Sequence, residues 1–242
     1  KVDRLLGSAS ATVDFFEMFG VESSNHKLDY NLNLSYNTTS VKSFTFVPAF
    51  IQSTTNYLTK SNEQLVKSNR SIGTSLIENF LTYDGNFGRN HLNIVGGTSF
   101  QRTIDETVNA QGVNLTEPYF LQVDNSLQTN SDSYQEERVL WSYFGRLNYD
   151  FDQKYYLSAT VRYDGSSQLT PDENQDIFPA ASVGWRLDRE NFFPVSESLI
   201  NLLKFRASYG ELGNINVLGP YDYVATMSRL DYTYSFANVK VN

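Results

Sequence analysis

Few residues in this 242-residue chain have the types and spacing for chemistry. There are no cysteines and two histidines, His26 and His91. A thiolate centre is thus excluded, and a multi-histidine zinc site has too few ligands. Both histidines sit at turn-like positions, with no serine or carboxylate constellation beside them in the sequence. No catalytic residue is predicted, and no cofactor or metal. The segment Thr170–Asp176, TPDENQD, gathers carboxylate and amide oxygens of the kind calcium favours. It matches no EF-hand spacing and lacks the turn glycine, so it reads as a solvated loop. Four cations remain, Arg146, Arg162, Lys204 and Arg206, with Asp164 near the second of them. They could bind an anionic group or pair along a wall. Tyr119, Phe120 and Tyr134 fall in a stretch without clear periodicity, residues 102–135. There their rings could stack on a sugar or pack the loop itself. With 27 acidic and 19 basic residues, the net charge of −8 argues against a nucleic-acid partner.

What must position these residues is a set of strands. Over Lys27–Asn37, KLDYNLNLSYN, Leu28, Tyr30, Leu32, Leu34 and Tyr36 alternate with Lys27, Asp29, Asn31, Asn33, Ser35 and Asn37. Strict period two places the two sets on opposite faces of a strand. The pattern recurs over 7–15, 91–100, 142–149, 155–164, 181–187 and 203–209, and more weakly over 41–50, 73–84 and 220–226. Residues 27–50 read as a hairpin turning near Thr38 or as one long strand. The longest apolar run, Phe46 to Ile51, is about six residues. A membrane-crossing helix needs roughly 20. The opening segment KVDRLLGSAS has no long apolar core of the secretory-signal kind.

Two properties favour a transmembrane barrel over a soluble sandwich. Aromatic residues cluster at strand ends, among them Tyr83, Phe87, Tyr149, Tyr155, Tyr163, Trp185 and Tyr209. This is the placement of headgroup girdles. The polar faces carry Asn, Ser and Thr with a few Arg, as a wet lumen would. The apolar rows include small residues (Ala9, Ala11, Gly96, Ala159, Ala181, Ala207) that lipid tolerates better than a packed core does. Short connections at 84–90 and 150–154 alternate with long ones at 51–71, 102–135 and 165–177, and a short amphipathic helix is expected within 188–201. The predicted fold class is all-β, an antiparallel transmembrane β-barrel, with about nine to eleven strands present. Arg146, Arg162, Lys204 and Arg206 then face the lumen, since a one-residue slip would turn them to lipid. The alternatives are a soluble extracellular β-sandwich carbohydrate-binding module and a small closed outer-membrane barrel acting as a pore or protease.

Three stretches carry a resemblance: Leu147–Ser167, LNYDFDQKYYLSATVRYDGSS; Phe178–Phe193, FPAASVGWRLDRENFF; and Leu199–Asn214, LINLLKFRASYGELGN. With Glu78–Gly97, ENFLTYDGNFGRNHLNIVGG, they resemble the barrel of the SusC/RagA family of TonB-dependent outer-membrane transporters of the Bacteroidota. The likeness covers residues 78–101 and 137–214. It implies a barrel of about 22 strands around a plug, localisation in the outer membrane, energy supplied through TonB, and import of oligosaccharides or peptides with a SusD-like surface lipoprotein. It favours residues 27–50 as one pass with an extracellular extension. It makes Arg146, Arg162, Asp164, Lys204 and Arg206 candidates for substrate or plug contact. Tyr119, Phe120 and Tyr134 become candidates for contact with glycan or the lipoprotein. Residues 1–242 are expected to be part of the barrel domain, with the plug domain and C-terminal strands absent from them. An open half-barrel would leave unpaired backbone in hydrocarbon, so the chain is expected to be a piece of a larger protein.

Overall fold

The computed structural model describes residues 1–20, 25–51, 59–60, 62–117, 119–193, 202–214, 219, 221–224, 234–236 and 239–241. Alternation along the chain becomes eight antiparallel strands. They are β1 (Val2–Asp14), β2 (His26–Val47), β3 (Gln64–Phe87), β4 (Asn90–Leu115), β5 (Ser126–Phe151), β6 (Tyr155–Ser166), β7 (Gln175–Arg186) and β8 (Lys204–Gly210). They pair in sequence order in one sheet, with β1 and β8 at its edges. Both edges are open, so among the described residues the sheet does not close into a small barrel. Two-residue and three-residue bridges, Phe50–Ile51 with Thr59–Lys60 and Tyr234–Phe236 with Val239–Val241, stand apart from it.

Register fixes the faces, because directly opposed residues share one. One face carries the row Leu28, Tyr83, Ile94, Leu147, Ala159 and Ala181. The other carries Asp84, Asn93, Asn148, Ser158, Ser182 and Ser208. The apolar rows stay uncovered: Leu34, Ile77, Ile94, Tyr143, Val161, Val183 and Phe205 are 41–57% exposed. Among the described residues Leu65 is the one buried large hydrophobic. A soluble domain of this size buries most of its apolar side chains against a second layer. The soluble-sandwich alternative therefore fails, and a lipid-facing surface accounts for the pattern.

The apolar band is one membrane thick. On β4 it runs from Leu92 to Phe100 and on β5 from Tyr149 to Trp141. That is close to the 9–11 residues a tilted strand needs to cross. On the same face it ends at an ion pair, where Arg102 Nε and Nη2 donate to Glu137 at 2.7 and 2.9 Å. Rings mark both borders. Trp141 packs edge-on against Tyr143 and Tyr163 at one, and Phe151 stacks near Tyr155 at the other.

Several expectations need correction. Among the described residues the stretches 51–71 and 102–135 are not mostly loop, because β3, β4 and β5 continue for 24, 26 and 26 residues. Beyond the membrane neither face meets lipid, so period two fades while ladder hydrogen bonding persists. The connection after β6 shrinks to 167–174 and that after β4 to 116–125. Residues 26–47 form one strand, not a hairpin, with the extension the resemblance favours. At 221–224 the chain turns and makes no strand; 220, 225 and 226 lie outside the described residues. At 188–201 the expected helix reduces to one 3-10 turn, Leu187–Arg189, and residues 194–201 lie outside the described residues.

Candidate functional site

The polar face carries a graded set of groups, built strand by strand. Nearest the short turns, the β4 histidine His91 lies between two carboxylates. Its Nδ1 is 2.9 Å from Asp150 Oδ2 on β5, and its Nε2 is 3.1 Å from Asp84 Oδ2 on β3. Asn93 Nδ2 also donates to Asp84 at 3.1 Å. Both imidazole nitrogens can donate at once only in the protonated ring. This overturns the expectation that His91 has no carboxylate neighbours, which are seven residues before it and 59 after it in sequence. Only the register of three strands brings them together. The two carboxylates flank the ring and do not converge on one point. Among the described residues no cluster of His, Asp and Glu could hold a metal.

Farther along the face stand the predicted cations. Arg162 Nε donates to Asp164 Oδ1 at 2.6 Å and its Nη2 donates to Ser142 Oγ at 2.8 Å. Lys204 Nζ sits 3.3 Å from the Tyr156 ring centroid, a cation–π contact. Gly184, directly opposite Tyr156, makes room for it, since a Cβ there would lie 3.0 Å from Lys204 Cε. Arg146 and Arg206 are exposed on the same face and make no ion pair among the described residues. The structure thus pairs Arg162 with Asp164 and Lys204 with Tyr156, and leaves Arg146 and Arg206 open.

The aromatic trio divides. Tyr119 and Phe120 lie in the connection after β4, 97% and 56% exposed. Tyr134 does not belong with them, because it lies within β5, opposite Thr107 on the polar face. In the other connection, Asp176 belongs to β7, and its Oδ1 accepts from the Ile177 N–H at 2.8 Å.

At the opposite rim the short turns are tied together. Arg89 pairs with Asp152, and Glu190 accepts from Tyr155 Oη at 2.5 Å and Trp185 Nε1 at 3.0 Å. Hydrogen bonding from Arg89 holds the Asp152 carboxyl below the usual carboxylate range. Arg186, helped by the Leu203 N–H, lowers Asp188 to about 2.

An exposed apolar band one membrane thick, a polar reverse face and strands that outrun the bilayer describe a sector of a large membrane barrel. A TonB-dependent receptor-like β-barrel family model matches residues 3–238. The chain belongs to that family. TonB-dependent receptor P3 of Formosa agariphila is 35% identical over 162 residues, 66% of this chain and 16% of that protein. TonB-dependent receptor SusC of Bacteroides thetaiotaomicron is 35% identical over 92 residues, 38% of this chain and 9% of SusC. Among solved structures, the RagAB peptide importer in its closed-closed state aligns with a TM-score of 0.69 at 16% identity, covering 98% of this chain and 26% of that one. Its open-open state aligns equally, at 0.69 and 17% identity over 96% of this chain and 25% of that one. The chain therefore spans a minor part of the relatives it matches. It is an antiparallel sector of an outer-membrane, TonB-dependent receptor barrel of the SusC/RagA type.

Proposed function

We propose that residues 1–242 form part of the wall of a nutrient importer that admits oligosaccharides or peptides through a plugged barrel of about 22 strands. The plug and the remaining strands would lie outside these residues. The sector itself carries out no covalent chemistry. Arg146, Arg162, Asp164, Lys204 and Arg206 face the lumen, where they meet the plug or passing solute. Tyr119 and Phe120 stand at the outer tip, in reach of a SusD-like surface lipoprotein or of glycan. TonB drives the cycle through the plug. The observation carrying this reading is the two-faced sheet, with naked Leu, Val and Tyr rows on one side and Asn, Ser and Arg on the other. Deleting the gene should abolish growth on the transported nutrient, and restoring it should bring growth back only in cells with functional TonB. Growth independent of TonB would refute energised import. Co-purification of a surface lipoprotein, weakened by Tyr119→Ala with Phe120→Ala, tests the partner.

A further inference from the structure

The polar face has one feature that a merely wettable wall does not need. In the row Phe80, Gly97, Phe144, Arg162, two phenyl rings flank a glycine. The rows on either side are Glu78, Ser99, Ser142, Asp164 and Thr82, Val95, Arg146, Thr160. Phe80 and Phe144 stand 6.4 Å apart, ring planes at 51°, so they form a tilted cleft and not a flat platform. Gly97 keeps the cleft open, since a Cβ there would overlap Phe80 and the Asn79 carbonyl. A cavity of ≈ 380 Å³ lies over it, lined by Glu78, Phe80, Val95, Phe144, Arg146 and Arg162 among others. Arg162 is committed to Asp164 and Ser142. Arg146 is exposed and has no carboxylate partner among the described residues.

Resting on the import reading, we propose that this cleft is a recognition subsite for an acidic peptide in transit. An aliphatic side chain drops between Phe80 and Phe144, and the carboxylate of a neighbouring residue docks on Arg146. The chemistry selects this occupant. The rings of Phe80 and Phe144 are half-buried, and covering their remaining apolar surface is favourable. A free guanidinium matches a carboxylate in bidentate geometry. A sugar ring would stack on a flat aromatic face and use polar ring tips to hold its hydroxyls, and phenyl offers neither here.

The test uses the purified full-length receptor that carries this chain, in detergent, with calorimetric titration of defined probes. The first is an acetylated, amidated Gly-Ser-Leu-Asp-Ser-Gly hexapeptide. The second replaces its Asp with Asn, the third its Leu with Ala, and the fourth is a hexuronate trisaccharide. Wild type should bind the first about 10-fold tighter than the second or third, the usual scale for one charge-assisted bond or one buried aliphatic side chain. Arg146→Gln should erase the Asp-over-Asn preference and keep the Leu-over-Ala preference. Phe144→Ala should do the reverse. Each variant thus reports its own folding through the preference it retains. Wild type with neither preference overturns the subsite, as do variants that leave both preferences intact. Tighter, Arg146-dependent binding of the trisaccharide also overturns it, in favour of a sugar acid. TonB-dependent uptake, measured separately in cells, decides the import reading, so failure of one is distinct from failure of the other.

Discussion

Ala159 and Ser158 are neighbours in sequence and face opposite solvents. On β6 the apolar row runs Tyr155, Leu157, Ala159, Val161, Tyr163. The two border tyrosines are eight steps apart, about 27 Å along a strand rising about 3.4 Å per residue. A tilt of about 40° reduces this to about 21 Å of depth, near the apolar height of an outer-membrane barrel. Ala159 is midway, so arginine there meets the bilayer centre and should cost about 2–4 kcal/mol. That is a factor of roughly 30–900 in the folding equilibrium. Ser158 lies on the polar face between Asn148 and Ser182, and its hydroxyl donates to Asn148 Oδ1 at 2.8 Å. Ser158→Arg forfeits about one neutral hydrogen bond, about 0.5–1.5 kcal/mol. The assay is urea titration of the full-length receptor in lipid vesicles, read by heat-modifiable gel mobility. Ala159→Arg should lower the folding midpoint well below that of Ser158→Arg. Equal midpoints, or the reverse order, would refute the assignment of faces.

Three further outcomes follow from contacts. Gly165 faces Trp141 across the β5–β6 ladder, and a Cβ would overlap the indole, so Gly165→Val should destabilise by about 1–3 kcal/mol in the same titration. His91→Ala leaves the Asp84 and Asp150 carboxylates without the donor between them and should cost about 1–3 kcal/mol, with His91→Lys recovering part of it. Asp188 has a lowered pKa of about 2, so it stabilises the fold above its unfolded value near 4 and ceases to as pH falls through about 2. Asp188→Asn should therefore unfold earlier than wild type at pH 7, and the two should converge near pH 2.

Strand positions within the membrane were legible because lipid on one side and water on the other impose period two; Leu28–Tyr36 and Tyr155–Tyr163 show it directly. Where both sides are wet that signal vanishes. The outer halves of β3, β4 and β5 therefore read as loop, and Tyr134 with them. The paired Arg162–Asp164 was visible because its members are two residues apart on one strand. The Asp84–His91–Asp150 cluster and the Phe80–Gly97–Phe144 cleft were not, because each depends on the mutual register of three strands. Local alternation sets each strand's faces but not which residues stand side by side.

The most direct test of the central claim is a nitroxide scan of residues 155–164 in the membrane-embedded receptor, with relaxation measured against dissolved oxygen and a water-soluble nickel chelate. The account predicts oxygen maxima at 155, 157, 159, 161 and 163 and nickel maxima at the positions between them. Protection of the first set from both reagents would mean that protein, and not lipid, covers the Leu, Ala and Val row, and would contradict it.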